Sequence, residues 1–220
     1  MKKSILAILS AVVITAASLT NPLIQIFTSA ENKLIAKWDF TKLNNYSYTN
    51  KTGDGHDAVL NSDGNISIGT NNKYWNQFHD LKIEDGKLTQ KEINYSNNGV
   101  EFVMNFKLTE DLRQGNEYTF ETNLSTTNAW VKPCLYYTDK ISNSPNWDTN
   151  EDVTVPTGAI KLYQATEARS LNNFSVTFTA SSDIKKDGWL NLRFKAGSRD
   201  TVSVISEAKL SLVVKEEPGT

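Results

Sequence analysis

Between Gly115 and Leu124 the chain reads G-N-E-Y-T-F-E-T-N-L. Tyr118, Phe120 and Leu124 fall on one side of an extended chain; Thr119, Glu121 and Asn123 fall on the other. An apolar residue at alternate positions is what a half-buried strand requires, because successive side chains point to opposite faces. The pattern recurs at Val100-Phe102-Met104-Phe106, Phe174-Val176-Phe178, Leu190-Leu192-Phe194 and Leu210-Leu212-Val214. No segment in the body of the chain carries a comparable helical period. Strands with one apolar face must close on one another, so the predicted fold class is all-β, an antiparallel β-sandwich.

The first thirty residues stand apart from that pattern. Lys2 and Lys3 form a basic start, Ile5 to Leu19 is an apolar run, Asn21-Pro22 breaks it, and Thr28-Ser29-Ala30 supplies small residues. This is the composition of a secretory signal peptide, residues 1–30. Cleavage after Ala30 fits best, with Ala16 or Ala17 as alternatives. The other reading, a membrane anchor, meets a run shorter than the roughly 20 apolar residues a span needs. One domain is predicted over 31–215, followed by a linker-like tail, 216–220. That tail either ends the protein or leads into something longer. The predicted localisation is secreted or cell surface.

A formal net charge of −2 gives no electrostatic reason to expect nucleic acid or an anionic membrane as partner. Cys134 is the single cysteine, so no disulfide can form within the chain. The domain is expected to be a monomer.

Lys33 to Phe40 is a predicted first strand. Thr41 to Asn72 is rich in Asn, Gly, Ser and Asp and reads as loops, with short strands at Ala58-Leu60 and Ile66-Ile68 about an Asp63-Gly64 turn. Leu81 to Thr89 holds a hairpin, since Asp85-Gly86 between two strand-like runs suits a turn with positive φ at both central residues. Trp130 to Tyr137 is a strand containing Pro133, which predicts an edge or a bulge because proline donates nothing to a ladder. Thr138 to Asp152 is a polar loop carrying Trp147. Val153 to Tyr163 is strand-like, interrupted by Pro156 and Gly158. Phe174–Ala180, Trp189–Lys195 and Val202–Val214 close the domain, the last broken near Ser206. Phe102, Phe106, Phe120, Phe178, Leu192 and Leu210 are the predicted core, and Trp38, Trp189 and Tyr118 are read as structural.

Enzyme templates fit poorly. A retaining glycosidase needs two carboxylates on one face. The adjacent acidic pairs here, such as Glu84-Asp85, Glu110-Asp111 and Glu151-Asp152, sit at turns or strand ends. His56 and His79 lack metal-ligand spacing. Asp54-Gly55-His56-Asp57 offers oxygen ligands near a turn but not the alternating acidic spacing of a calcium loop.

Aromatic and amide side chains remain. If Leu190, Leu192 and Phe194 face the core, Asn191 and Arg193 face outward. If Val131 and Leu135 face the core, Trp130 and Tyr136 face outward. Trp75 and Trp147 lie in polar loops. A solvent-facing ring beside Asn and Arg suits a sugar, whose C–H face stacks while its hydroxyls take hydrogen bonds. The candidate ligand-binding residues are therefore Trp75, Asn123, Trp130, Tyr136, Trp147, Asn191 and Arg193. Trp130 could instead lie inside if Pro133 reverses the phase of its strand.

Leu112-Arg113-Gln114-Gly115-Asn116-Glu117-Tyr118-Thr119-Phe120 resembles the L-x-x-G-x-x-Y-x-F/V stretch of family 4 and family 9 carbohydrate-binding modules. Asn173-Phe174-Ser175-Val176-Thr177-Phe178-Thr179 is similar to the segment ending F-T in the same family. The strands at 189–195 and 207–213 follow in matching order. The resemblance covers roughly 31–215 and is specific from about residue 99. It implies a galactose-binding-like β-jelly roll, of a kind often appended to secreted polysaccharide-degrading enzymes and often carrying a structural calcium. Two departures stand out: Leu171-Asn172-Asn173 replaces the tryptophan that usually opens the F-T segment, and Ser206-Glu207 replaces the usual Asp-Asp pair that helps frame calcium. Sugar contacts shift among members of this family, so the candidate residues rest on the face argument alone.

The expected function is non-catalytic recognition of a polysaccharide or cell-surface glycan. Trp130 and Tyr136 would stack, and Asn123, Asn191 and Arg193 would hydrogen-bond. Two other readings stay open. A structural or adhesive module binding protein predicts outward aromatics buried against a neighbour or forming an apolar patch. A polysaccharide-degrading enzyme predicts acidic, His, Lys or Tyr groups converging in one cleft.

Overall fold

The computed structural model describes residues 32–43, 46–50, 56–60, 64–71, 79–92, 100–126, 133–141, 155–165, 172–196 and 201–215. Thirteen strands run along them: β1 (Lys33–Asp39), β2 (Tyr46–Asn50), β3 (His56–Leu60), β4 (Ile66–Asn71), β5 (His79–Glu84), β6 (Lys87–Glu92), β7 (Val100–Lys107), β8 (Glu117–Thr126), β9 (Cys134–Thr138), β10 (Ile160–Gln164), β11 (Asn172–Thr179), β12 (Trp189–Ala196) and β13 (Thr201–Leu212). Helix among the described residues is confined to a 3-10 turn at Phe40–Lys42, where the Asp39 carboxylate caps the Thr41 N–H. The strands form two antiparallel sheets of a β-sandwich with jelly-roll connections. The larger has the order β11-β8-β13-β6-β5-β2, with β1 also on β13; the smaller has the order β10-β9-β12-β7-β4-β3.

The alternating patterns occupy the interface between the sheets. Phe106 from β7 and Phe120 from β8 meet across it, ring centroids 5.3 Å apart. Trp38 from β1 lies 5.2 Å from the first and 6.2 Å from the second. Its indole N–H donates to the Lys107 carbonyl at 2.9 Å, so the ring is buried without an orphan donor. Ile66, Ile68, Met104, Leu135, Leu190, Leu192, Leu124, Phe178 and Leu210 extend the same cluster. Each such side chain contributes on the order of 1.5–3 kcal/mol by leaving water. The predicted core is borne out at Phe106, Phe120, Phe178, Leu192 and Leu210. The Phe102 side chain lies outside the described ones.

Turn chemistry follows the sequence closely at one place. Asp85 and Gly86 join β5 to β6 with φ of 49° and 74°. A Cβ on Gly86 would lie 2.7 Å from the Thr41 Cα, so that glycine is needed for space as well as for its dihedral.

Three expectations need correction. Tyr46–Asn50 was predicted as loop but pairs with β5 as a strand. Its Asn and Thr content conceals a strand held by ladder hydrogen bonds. Of the two outcomes expected at Pro133 the edge is not found, because β9 is flanked by β10 and β12, whereas the β9–β10 register does shift between Lys161 and Tyr163; the proline itself sits one residue before the strand, its carbonyl accepting the Ala165 N–H at 2.9 Å. Of the interrupted strand predicted over Val153 to Tyr163, Val153 and Thr154 lie outside the described residues, and strand is found from Ile160, beyond the interruption expected at Pro156 and Gly158. Before Ile160, Ala159 N–H reaches the Pro156 carbonyl at 3.0 Å across a turn with Gly158 at φ 83°.

Candidate functional site

In β12, Leu190 and Leu192 enter the core, so Asn191 and Arg193 point to the far face of the smaller sheet, as their phase predicts. The register shows what meets them there. Asn191 is directly opposite Asn105 of β7 and Tyr136 of β9. Asn105 is in turn opposite Ser67 of β4, and Tyr136 is opposite Lys161 of β10. Directly opposed residues share a face. One row of side chains therefore crosses five strands: Ser67, Asn105, Asn191, Tyr136, Lys161. A second row lies beside it: Val103, Arg193, Cys134 and Gln164, from β7, β12, β9 and β10.

Most of this face is closed to solvent, although Lys161 at its edge is exposed and Gln164 is half-buried. Ser67, Asn105, Asn191, Tyr136, Cys134 and Val103 are 0% exposed and Arg193 is 2% exposed. The expectation that Tyr136, Asn191 and Arg193 lie on an exposed surface is corrected. Alternation sets which face a side chain takes but not what covers that face. Part of the cover is visible: Val155 and Ala159 pack on Cys134 and Tyr136 in a small cluster separate from the main core.

The polar groups are tightly organised. Asn105 Nδ2 donates to the Ser67 carbonyl at 3.3 Å. Asn191 Nδ2 is within reach of three acceptors, the Tyr136 carbonyl at 3.2 Å, Thr138 Oγ1 at 2.8 Å and the Trp189 carbonyl at 2.9 Å. Turning the amide over would aim Oδ1 at two carbonyls, so the orientation is fixed by its surroundings. Three buried side-chain atoms among the described residues have no hydrogen-bond partner: Ser67 Oγ, Asn191 Oδ1 and Gln164 Oε1. All three belong to these two rows. A buried polar atom without a partner costs about 1–3 kcal/mol, so three on one face ask for a donor.

Burial pushes the Cys134 thiol up to about 11, with Lys161 and Arg193 opposing the shift. It is a protonated, inert packing group at neutral pH. The charges present among the described side chains of the two rows are cationic.

Of the seven sequence candidates, Tyr136, Asn191 and Arg193 are brought together. Asn123 is not: it is exposed on β8, on the outer face of the larger sheet and so on the opposite side of the sandwich. Trp75, Trp130 and Trp147 lie outside the described residues. Sequence reasoning missed Ser67, Asn105, Thr138 and Gln164. Their outward phase was readable for Ser67, between Ile66 and Ile68, but small polar residues on an outward phase carry no signal until the register assembles them.

The resemblance implies a calcium near Ser206-Glu207. There the Glu207 carboxylate is paired with Lys37. Among the described residues no three His, Cys, Asp or Glu side chains gather to hold a metal. The side chains of Asp54-Gly55-His56-Asp57 lie outside the described ones.

No family model matches this sequence, and no curated protein sequence matches it. Among solved structures the chain is similar to BiXyn10A CBM1 in its apo form, at 12% identity over 81% of this chain and 98% of that one, with a TM-score of 0.38. It is also similar to a CBM29-2 variant complexed with mannohexaose, a family 29 carbohydrate binding module, at 9% identity over 76% and 93% of the two chains, with a TM-score of 0.34. A third is a cellulase derived from Cel12A of Rhodothermus marinus, at 8% identity over 76% and 100%, with a TM-score of 0.34. Likenesses at this level transfer neither a site nor a ligand.

Proposed function

We propose that the chain is a non-catalytic carbohydrate-binding module whose ligand face is the outer surface of the six-stranded sheet. The observation that carries this reading is the gathering, on that one face, of the three buried side-chain polar atoms without a partner among the described residues, Ser67 Oγ, Asn191 Oδ1 and Gln164 Oε1. Amide and hydroxyl groups in cross-strand rows, with a tyrosine ring among them, offer both hydrogen bonding and stacking to a polyhydroxylated ring. Because Val155 and Ala159 cover Tyr136, binding includes an opening step. That step lowers the apparent affinity by the fraction of open molecules. A Kd on the order of micromolar to millimolar is expected for a flexible glycan. Family 4 or family 9 membership and export through residues 1–30 belong to the same proposal and rest on the sequence motifs.

One observation favours a second reading. The burial of Tyr136 against the chain's own residues suits a structural or adhesive module in which the polar rows hold water. A glycan array probed with the domain 31–215 separates the two. Binding that is lost in Asn191→Leu, with folding retained, supports the first. Absence of binding to every glycan overturns it in favour of the second.

A further inference from the structure

The three unpartnered atoms differ in kind from a generic polar surface. Asn191 Oδ1 and Gln164 Oε1 can only accept, and Ser67 Oγ can accept as well as donate. Both N–H groups of Asn191 are spent on the protein's own acceptors, so the amide turns only its oxygen toward whatever occupies the face. Gln164 is similar: its Nε2 donates to the Ala165 carbonyl at 3.2 Å, leaving Oε1.

Thr138 holds this arrangement. Its hydroxyl donates to the Lys140 carbonyl at 2.7 Å, so its oxygen is left to accept from Asn191. With that proton committed, the hydroxyl cannot donate to Asn191 Oδ1, and the inverted amide gains nothing from it.

We infer that the face selects glycans presenting free hydroxyl donors, and discriminates against those whose contacting oxygens are capped as methyl ethers or acetates. Asn191 is the specificity-determining residue and Thr138 its positioning residue. The inference rests on the carbohydrate-binding reading. A capped oxygen has no proton to give. It would leave Asn191 Oδ1 buried and unpaired, the kind of mismatch that polar sites reject most strongly.

The test is a matched set of hexasaccharides, mannohexaose and cellulohexaose each in free, O-methylated and O-acetylated form, titrated against the domain 31–215. The free forms should bind at least tenfold more tightly than either capped form. In Thr138→Val that ratio should fall toward one, and Thr138→Ser, which restores the hydroxyl, should recover it. A merely structural threonine would alter all affinities together and leave the ratio unchanged. Capped forms binding as tightly as free ones would sink the inference while leaving carbohydrate binding intact. No binding by any member, together with no binding across the glycan array, removes the reading beneath it and the inference with it.

Discussion

The two outer faces of the sandwich are built on opposite principles. On the larger sheet, Lys209 of β13 pairs with Glu121 of β8 at 3.1 Å, Lys215 meets Glu117 at 3.2 Å, and Lys37 of β1 pairs with Glu207. Thr119 and Thr177 share a hydrogen bond at 2.9 Å. These side chains are partly or largely exposed, and every one can be satisfied by water if its neighbour moves. On the smaller sheet the equivalent positions are amides, hydroxyls, a thiol and a guanidinium, nearly all sealed from solvent. Solvated ion pairs of the first kind contribute little and tolerate substitution. Sealed polar groups of the second kind must each have a partner, so the face specifies what can occupy it. Alternation produced both faces, and only burial separates a solvated surface from a selective one.

The sharpest way to break this contrast is to truncate the ring at the centre of the sealed face. Tyr136→Ala should cost about 3–5 kcal/mol in chemical denaturation, as for other buried aromatic side chains. A cost below about 1 kcal/mol would mean that the two faces are equally open. Next in size is an alkaline effect confined to the sealed face. The Cys134 thiol is raised from 9.0 to about 11 on folding. The folded chain keeps the proton between those values and the unfolded chain gives it up. This contribution is complete below pH 9 and lost as pH rises through about 11, amounting to roughly 2–3 kcal/mol. Urea titrations at pH 8 and pH 11 should show a smaller stability loss in Cys134→Ala than in the parent; equal losses would place the thiol in water.

The smaller effects come from an ion pair on the exposed face and a hydroxyl on the sealed one. Lys209→Ala should cost no more than about 1 kcal/mol, and less in 1 M salt, where exposed charges are screened. A larger, salt-insensitive cost would make that face more than a solvated surface. The smallest shift should come from Ser67→Ala. Removing a buried hydroxyl that bonds to nothing relieves its desolvation cost but leaves a small void, so the net change should be below about 0.5 kcal/mol and on the stabilising side. A loss above about 1 kcal/mol would show that Ser67 Oγ has a partner, such as an ordered water.

Much of this was legible in the sequence, and the reasons for the rest are specific. Alternation places Phe120, Phe178 and Leu192 inside because a period of two ties each residue to one face. Asp85-Gly86 announces its turn because few residue pairs accept positive φ together. The break expected near Ser206 is absent, since β13 runs continuously from Thr201 to Leu212, but its register on β8 shifts between Val204 and Ala208. The outward phase of Asn191 and Arg193 was also correct. Their burial was not legible, since nothing local to β12 records which distant segment lies over it. Nor was the separation of Asn123 from Asn191: both are outward-facing asparagines on strands, and only sheet order assigns them to opposite sides. Thr138 gave no sign at all, because its role depends on one hydrogen bond to Asn191, 53 positions along the chain.

The pairing of β1 with β13 has a mechanical consequence. Lys33 is opposite Leu212, with the two strands antiparallel. Chain therefore enters and leaves the described domain at neighbouring points, about 5 Å apart by the geometry of such a pair. Tension applied through these two points pulls across the ladder and not along it. The hydrogen bonds from Lys33 toward Asp39 would be loaded one after another, as in opening a zip, and β1 with its Trp38 would peel away under modest force. A domain tethered at both points would yield early under stretching, whereas one tethered at a single point would bear no load at this seam.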